Sequence, residues 1–236
     1  MATVLLVRHG RTSANATGVL AGRTPGVLLD EVGQAQAADL ARRMTGLTMA
    51  TVVSSPLERC IQTAQVLTAS SGQPVDVDER LAEADYGEWT ARPLKDLART
   101  KLWRMVQDHP SAAVFPGPSG EAMAGVSARA VEAVRERDRT VAQESGDDAV
   151  WVAVSHGDVI KAVLADALGM HLDHFQRIAV DPCSVSVVRY TPLRPFVMRV
   201  NDTSGSLDAL HPRRRRRHRA SRRSSDAPVG GGAGDS

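Results

Sequence analysis

The sequence predicts an α/β fold around a mostly parallel sheet, and three observations carry that expectation. Short apolar or β-branched runs alternate with longer stretches of helical character. The run Ala149-Val150-Trp151-Val152-Ala153-Val154 has no polar interruption, as a central parallel strand covered on both faces requires. Two such runs, 4–7 and 149–154, each stop one residue short of a His-Gly pair, which places an imidazole where a strand hands its chain to a loop. With 236 residues, 42% hydrophobic and 24% charged, the chain has enough apolar material for one sizeable core. The expected organisation is one domain over residues 1–202 and a tail over 203–236.

In chain order, Val-Leu-Leu-Val at 4–7 is the first strand, closed by Arg8-His9-Gly10. Asp30 is a good helix N-cap with Leu29 before it as a staple, and the Ala-rich run 31–44 behind it has high helix propensity. Thr51-Val52-Val53 is a short strand broken by Ser54-Ser55-Pro56, and Pro56 is placed to open a helix over 57–71 that ends at Gly72. That layout repeats the one around His9. It puts Arg59 in a first helical turn, beside backbone N–H groups that suit an anion; an ordinary exposed helical Arg is the alternative.

Residues 75–77 read as a strand and 81–89 as a loop with turns, where carboxylates are usually only solvated. One helix is expected over 93–109, with Leu94, Leu97, Trp103 and Val106 buried. Three prolines and two glycines make 110–120 a loop, a candidate mobile lid that would shape selectivity. Ser119 is expected to cap an amphipathic helix to about residue 144, whose apolar face holds Ala122, Val126, Ala130 and Val134. A helix over 159–168 follows Ser155-His156-Gly157-Asp158, and the runs 185–190 and 196–200 form a closing hairpin around Thr191-Pro192.

The net charge of +2 hides an asymmetry: residues 203–236 carry eight Arg against three Asp, so the tail is +5 and residues 1–202 are −3. The tail, rich in Arg from Arg213 to Arg223 and followed by Gly230-Gly231-Gly232, cannot bury apolar surface and is expected to be disordered. It reads either as an arm for nucleic acid or another polyanion, or as a neutral extension. The chain's 26 Arg against 3 Lys, a bias of GC-rich coding, favour the second reading. No run approaches a membrane span and residues 4–7 are too short for a signal peptide's hydrophobic region, so the expected compartment is the cytoplasm. Cys60 and Cys183 are expected as reduced core residues, with no metal-ligand spacing around them.

His9 stands beside Arg8, a permanent planar cation. A fixed cation disfavours the protonated imidazole, leaving a ring nitrogen free to attack an electrophile at neutral pH, and an anionic phosphoryl group would be drawn to the same spot. Gly10 lets the backbone turn and a ligand come close to the main chain. The tripeptide alone equally suits a satisfied His with a solvated Arg beside it. A second His at a matching strand end, with Arg59 near, makes a constellation.

Val7-Arg8-His9-Gly10-Arg11-Thr12 with Asn15, Gly33-Gln34-Ala35-Gln36-Ala37, Ser54-Ser55-Pro56-Leu57-Glu58-Arg59-Cys60-Ile61-Gln62-Thr63-Ala64, Glu83 followed by Gly87 and Trp89, and Ser155-His156-Gly157 occur in that order over residues 2–200. This series resembles the histidine phosphatase superfamily, also called the phosphoglycerate mutase-like family. The resemblance implies a three-layer α/β/α sandwich. It implies that His9 becomes phosphohistidine and that Arg8, Arg59 and His156 cradle the phosphoryl group, with Gly157 at the substrate. Asn15 would contact phosphate or order its loop, and Glu83 would donate a proton. Phosphoryl transfer is mostly positioning and charge stabilisation, so two guanidiniums and an imidazolium can do what a metal does elsewhere, and no cofactor is expected.

Some residues depart from the family pattern. Arg11 stands where Glu or Gln is common, Asp30 caps the first long helix without the usual Asp-x-Pro-Leu-Thr lead, and Trp89-Thr90-Ala91 replaces Trp-Glu-Gly. Ala84 stands where phosphoglycerate mutases of this family carry Arg, which favours a metal-independent phosphomonoester hydrolase over a bisphosphoglycerate-dependent mutase. The expected substrate is a small phosphorylated metabolite. Arg11, Arg23, Arg92 and Lys95 either extend the positive field toward a second anionic group or are solvated surface charges. A non-catalytic phosphate- or polyanion-binding protein is the alternative of another class, and it would need neither nucleophile nor acid.

Overall fold

The computed structural model describes residues 2–204; the expectations for the Arg-rich tail fall outside that range. Six strands form one sheet: β1 (Thr3–Arg8), β2 (Val52–Ser54), β3 (Val75–Val77), β4 (Val150–Ser155), β5 (Val185–Tyr190) and β6 (Pro195–Asp202), in the order β3-β2-β4-β1-β5-β6. The first four are parallel, and β5 runs antiparallel to β1 and β6 antiparallel to β5, so the closing hairpin lies at one edge.

Helices cover both faces. On one side Leu5, Val7, Val152 and Val154 meet Ala37 and Leu40 of α2 (Glu31–Arg43) and Ala64 and Leu67 of α3 (Glu58–Thr68), which follow the short α1 (Ser13–Thr17). On the other, Leu6, Trp151 and Ala153 pack in one cluster with Ala130 and Val134 of α6 (Met123–Ser145) and Val163 and Leu164 of α7 (Gly157–Ala167). Alternate residues of β1 and β4 thus feed two separate cores, which is why neither strand carries a polar face. The architecture is a three-layer α/β/α sandwich. Asp30 caps α2 as expected, its Oδ1 accepting from Gly33 N at 2.8 Å.

Several local expectations need correction. The helix foreseen over 93–109 is two, α4 (Leu94–Leu97) and α5 (Lys101–Asp108). The Thr100 hydroxyl accepts from Trp103 N and starts the second, a capping bond that competes with helix continuation. Of the four residues expected buried there, Leu97 and Val106 are; Leu94 and Trp103 are only partly so. Ser119 caps nothing: Ala122 is the N-cap of α6, and the Ser119 hydroxyl donates to Asp85 instead. Pro56 precedes the α3 N-cap, Leu57, rather than opening the helix.

The 110–120 loop is anchored by a buried Phe115, whose ring lies 4.8 Å from that of Tyr86 and 5.6 Å from that of Trp89, and by Glu88 N donating to Pro116 O. Gly10 also has a packing role. A Cβ there would lie 2.6 Å from Gly33 O, and one on Gly33 would lie 2.0 Å from Arg11 O, so the two glycines let the loop after β1 press against α2. Cys60 and Cys183 are buried free thiols. Among the described residues no helix is long and apolar enough to cross a membrane.

Candidate active site

The parallel register pairs Arg8 with Ser155, so the next residues, His9 and His156, leave adjacent strands side by side. His9 N donates to Ser155 O at 3.0 Å, and the imidazole centroids lie 5.2 Å apart. From β1 the chain proceeds to β2 on one side, and from β4 it crosses to β5 on the other, which opens a crevice at the carboxyl ends of these two strands. A cavity of about 460 Å³ occupies that crevice, lined by Arg8, His9, Arg59, Glu83, Gly157 and Asp158 among others. Val19, Leu20, Leu94 and Val180 also line it, and no residue of the 110–120 loop is among its lining.

The tautomers follow from the partners. His9 Nδ1 lies 2.7 Å from Gly10 O, and a carbonyl only accepts, so Nδ1 carries the proton and Nε2 keeps its lone pair. Arg59 Nε donates toward that Nε2 at 3.3 Å. Arg59 Nη2 donates to Gly22 O at 2.8 Å and to His156 Nδ1 at 3.2 Å, which leaves His156 Nε2–H to donate to Ser55 Oγ at 2.7 Å.

Both imidazoles are held well below the ordinary histidine range, first by burial, then by Arg59; Arg8 acts more weakly on each. The expected effect of a cation on His9 is therefore present, with burial and Arg59 ahead of Arg8. Burial and Arg59 thus disfavour the imidazolium expected of His156 in the cradle, and its ring is wholly buried. The Cys60 thiol, 3.4 Å from His156 Nε2, is pushed up to about 12 by burial and is no nucleophile.

Arg8 Nη1 donates to Val180 O at 2.7 Å. Arg8 Nε and Arg59 Nη1 are buried with no hydrogen-bond partner among the described residues. Buried guanidinium donors are costly to leave unmatched, and an oxyanion is the kind of group that would match them through charge-assisted bonds. The N-terminus of α7 meets the cavity at Gly157, adding a helix dipole of the same sign. Asn15 orders its loop: its Oδ1 accepts from Thr12 N at 3.1 Å while Thr12 Oγ1 accepts from Asn15 N at 3.2 Å. Its residue also lines the cavity. Among the described residues no group of three or more His, Cys, Asp or Glu side chains is arranged to hold a metal ion.

Glu83 lies across the cavity, with Oε2 3.9 Å from His156 Nδ1 and Oε1 accepting from Ala84 N at 3.0 Å. Burial, followed by the nearby Asp158 carboxylate, pushes its carboxyl up to about 7. The native state therefore favours the protonated form. That contribution is fully present below about 4.5 and is lost as pH rises through about 7. Glu83→Gln, a permanently neutral isostere, should gain on the parent in urea denaturation as pH rises from 5 to 8. A gap that stays constant across that range contradicts the burial argument.

Asp158, Tyr86, Lys161 and Ser55 were not singled out from the sequence. Tyr86 OH donates to Asp158 Oδ2 at 3.0 Å, and Lys161 Nζ reaches Asp158 Oδ1 at 3.4 Å and Gln176 Oε1 at 3.0 Å. The available signal was helical spacing: Asp158 follows His156-Gly157 directly and Lys161 is three residues on, on the same helix face. Of the four cations read either as extending the positive field or as surface charges, Arg11 lines the cavity and pairs with Asp30 at 2.8 Å. Arg23 turns to Glu83 O and Glu121, while Arg92 and Lys95 line no part of it.

A family model, described as the histidine phosphatase superfamily (branch 1), matches residues 4–203. A probable phosphoglycerate mutase, GpmB, of Yersinia enterocolitica is 31% identical over 193 residues, covering 80% of this chain and 86% of that one. A glucosyl-3-phosphoglycerate phosphatase of Mycolicibacterium vanbaalenii is 30% identical over 174 residues, covering 73% and 76%. Among solved structures, Bacillus stearothermophilus YhfR superposes with a TM-score of 0.77 at 25% identity, covering 86% of this chain and 98% of that one. The sandwich is thus the phosphoglycerate mutase-like one, and the chain belongs to the histidine phosphatase superfamily.

Proposed function

We propose that the protein hydrolyses phosphomonoesters of small metabolites by two displacements through a phosphohistidine on His9. The observation that carries this reading is the His9 Nε2 lone pair. Gly10 O fixes its tautomer, burial and two guanidiniums keep it unprotonated, and it faces a cavity walled by cationic donors. In the first step the lone pair forms an N–P bond as the P–O bond to the leaving group breaks, and the protonated Glu83 carboxyl gives its proton to the departing alkoxide. In the second, the Glu83 carboxylate takes a proton from water, the hydroxide attacks phosphorus, and the N–P bond breaks to release phosphate and restore Nε2. Arg8 and Arg59 hold the equatorial oxygens in both steps, joined by the N-terminal end of α7. A carboxyl near 7 suits both duties at neutral pH.

One relative is a probable phosphoglycerate mutase and another a glucosyl-3-phosphoglycerate phosphatase, which supports a small phosphorylated metabolite as substrate here. The hydrolase reading is favoured over the mutase by Ala84, wholly buried at the position where phosphoglycerate mutases carry Arg. The test compares phosphate release from a panel of sugar phosphates, nucleotides and phosphoglycerates with interconversion of 3- and 2-phosphoglycerate, with and without bisphosphoglycerate. Phosphate release should dominate. Interconversion faster than phosphate release would make the protein a mutase, and neither activity would make it a binder.

A further inference from the structure

We propose that Arg129, Glu121 and Arg23 form a clamp of positioning residues that fixes where Glu83 stands relative to Arg59, an inference that rests on Glu83 being the proton donor. Glu83 lies between two single-turn 3-10 segments, Glu79–Leu81 and Gly87–Trp89. Its stretch has no ladder of its own, so its carbonyls need donors from elsewhere. Arg129, on α6, supplies them: Nη1 donates to Arg80 O at 2.6 Å and Ala82 O at 2.8 Å, and Nη2 to Glu83 O at 3.2 Å.

Glu121 orients that guanidinium in a two-point bond, Nε to Oε1 at 2.7 Å and Nη2 to Oε2 at 3.0 Å. The same Oε2 accepts from Asp85 N at 3.2 Å and from Arg23 Nη2 at 3.1 Å. Arg23 Nε in turn donates to Glu83 O at 2.8 Å. Two guanidiniums from different parts of the chain therefore hold the one carbonyl of the residue that carries the acid.

The clamp also reaches the phosphoryl cradle. Arg23 directly follows Gly22, whose carbonyl accepts from Arg59 Nη2 at 2.8 Å, and Arg59 contacts His9 Nε2. One short loop thus holds Arg59 at one peptide and the Glu83 backbone at the next. A general acid works only within hydrogen-bond reach of the leaving oxygen, and displacement by about 1 Å costs on the order of 10²-fold in rate. Breaking the clamp should damage protonation of the leaving group while sparing the nucleophile and the cradle.

The experiment compares p-nitrophenyl phosphate, whose leaving group departs with little protonation, with glycerol 2-phosphate, whose alkoxide needs the proton. Arg129→Lys keeps the charge and one donor, and Arg23→Ala trims a half-exposed side chain, so folding, checked by circular dichroism and thermal melting, survives in at least the second. Each variant should lower kcat on glycerol 2-phosphate by about 10- to 100-fold and on p-nitrophenyl phosphate by less than about threefold, with KM unchanged. Equal losses on both esters, or no loss on glycerol 2-phosphate, overturn the clamp. Glu83→Gln is the reference: if it fails to separate the two esters while His9→Ala is inactive, the donor assignment falls and the clamp's purpose with it. If Glu83→Gln separates them and the clamp variants do not, the clamp alone is refuted.

Discussion

His9→Ala should reduce phosphate release by at least about 10⁴-fold, the largest effect expected of any single substitution in this protein, because it removes the atom that bonds to phosphorus. The remaining guanidiniums can still bind an anion, so inorganic phosphate should continue to compete for the site. The variant should fold. It loses one buried ring and its bond to Gly10 O, but it also loses a group that resists protonation in the native state. An imidazole whose folded value lies below its unfolded one contributes stability above about 6.5, which is lost as pH falls. The variant should therefore lose less stability than the parent on acidification. Kinetics on p-nitrophenyl phosphate and melts at pH 5 and 8 read both effects. Parent-like turnover in the folded variant would remove His9 from the mechanism.

Arg59 comes second. Substitution by Met should lower kcat/KM by about 10³-fold, the scale expected of an arginine that neutralises charge on a transferring phosphoryl group. Arg59→Lys should fare nearly as badly. The guanidinium uses separate nitrogens for His9 Nε2, and for Gly22 O with His156 Nδ1, a spread that one ammonium cannot reproduce. Arg59 is also the strongest charge acting on both histidines, so its loss should raise the titration points of His9 and His156 together in NMR. Full activity in Arg59→Lys would show that charge alone suffices and that the fork geometry does not matter.

What the residues reveal without coordinates divides by range. The runs 4–7 and 149–154, the Asp30 cap and the two His-Gly strand ends are local patterns, and each is found where expected. Parallel pairing of those two strands then brings His9, Arg8, Arg59 and Glu83 to one cavity, with His156 just behind. Elsewhere a single side-chain bond decides the outcome: the local Thr100–Trp103 cap splits a helix that propensity alone would continue, and Ser119 donates to the distant Asp85 instead of capping. Gly10, in the loop after β1, lies so close to Gly33 of α2 that a Cβ there would meet the Gly33 carbonyl. The charge state of His156 depends on burial and on Arg59, neither of which its neighbours in sequence disclose. Arg129 reaches residues 80–83 from a helix 46 or more residues further along the chain, with nothing in its own segment to mark it.

A bond between His9 Nε2 and phosphorus should be trapped by rapid quench of the enzyme during turnover of ³²P-labelled substrate. Protein-bound label should be stable to alkali and lost in acid, present at up to one equivalent, mapping to the peptide that contains His9 and missing from His9→Ala. Steady release of phosphate with no label on that peptide, or label elsewhere that persists in His9→Ala, contradicts it.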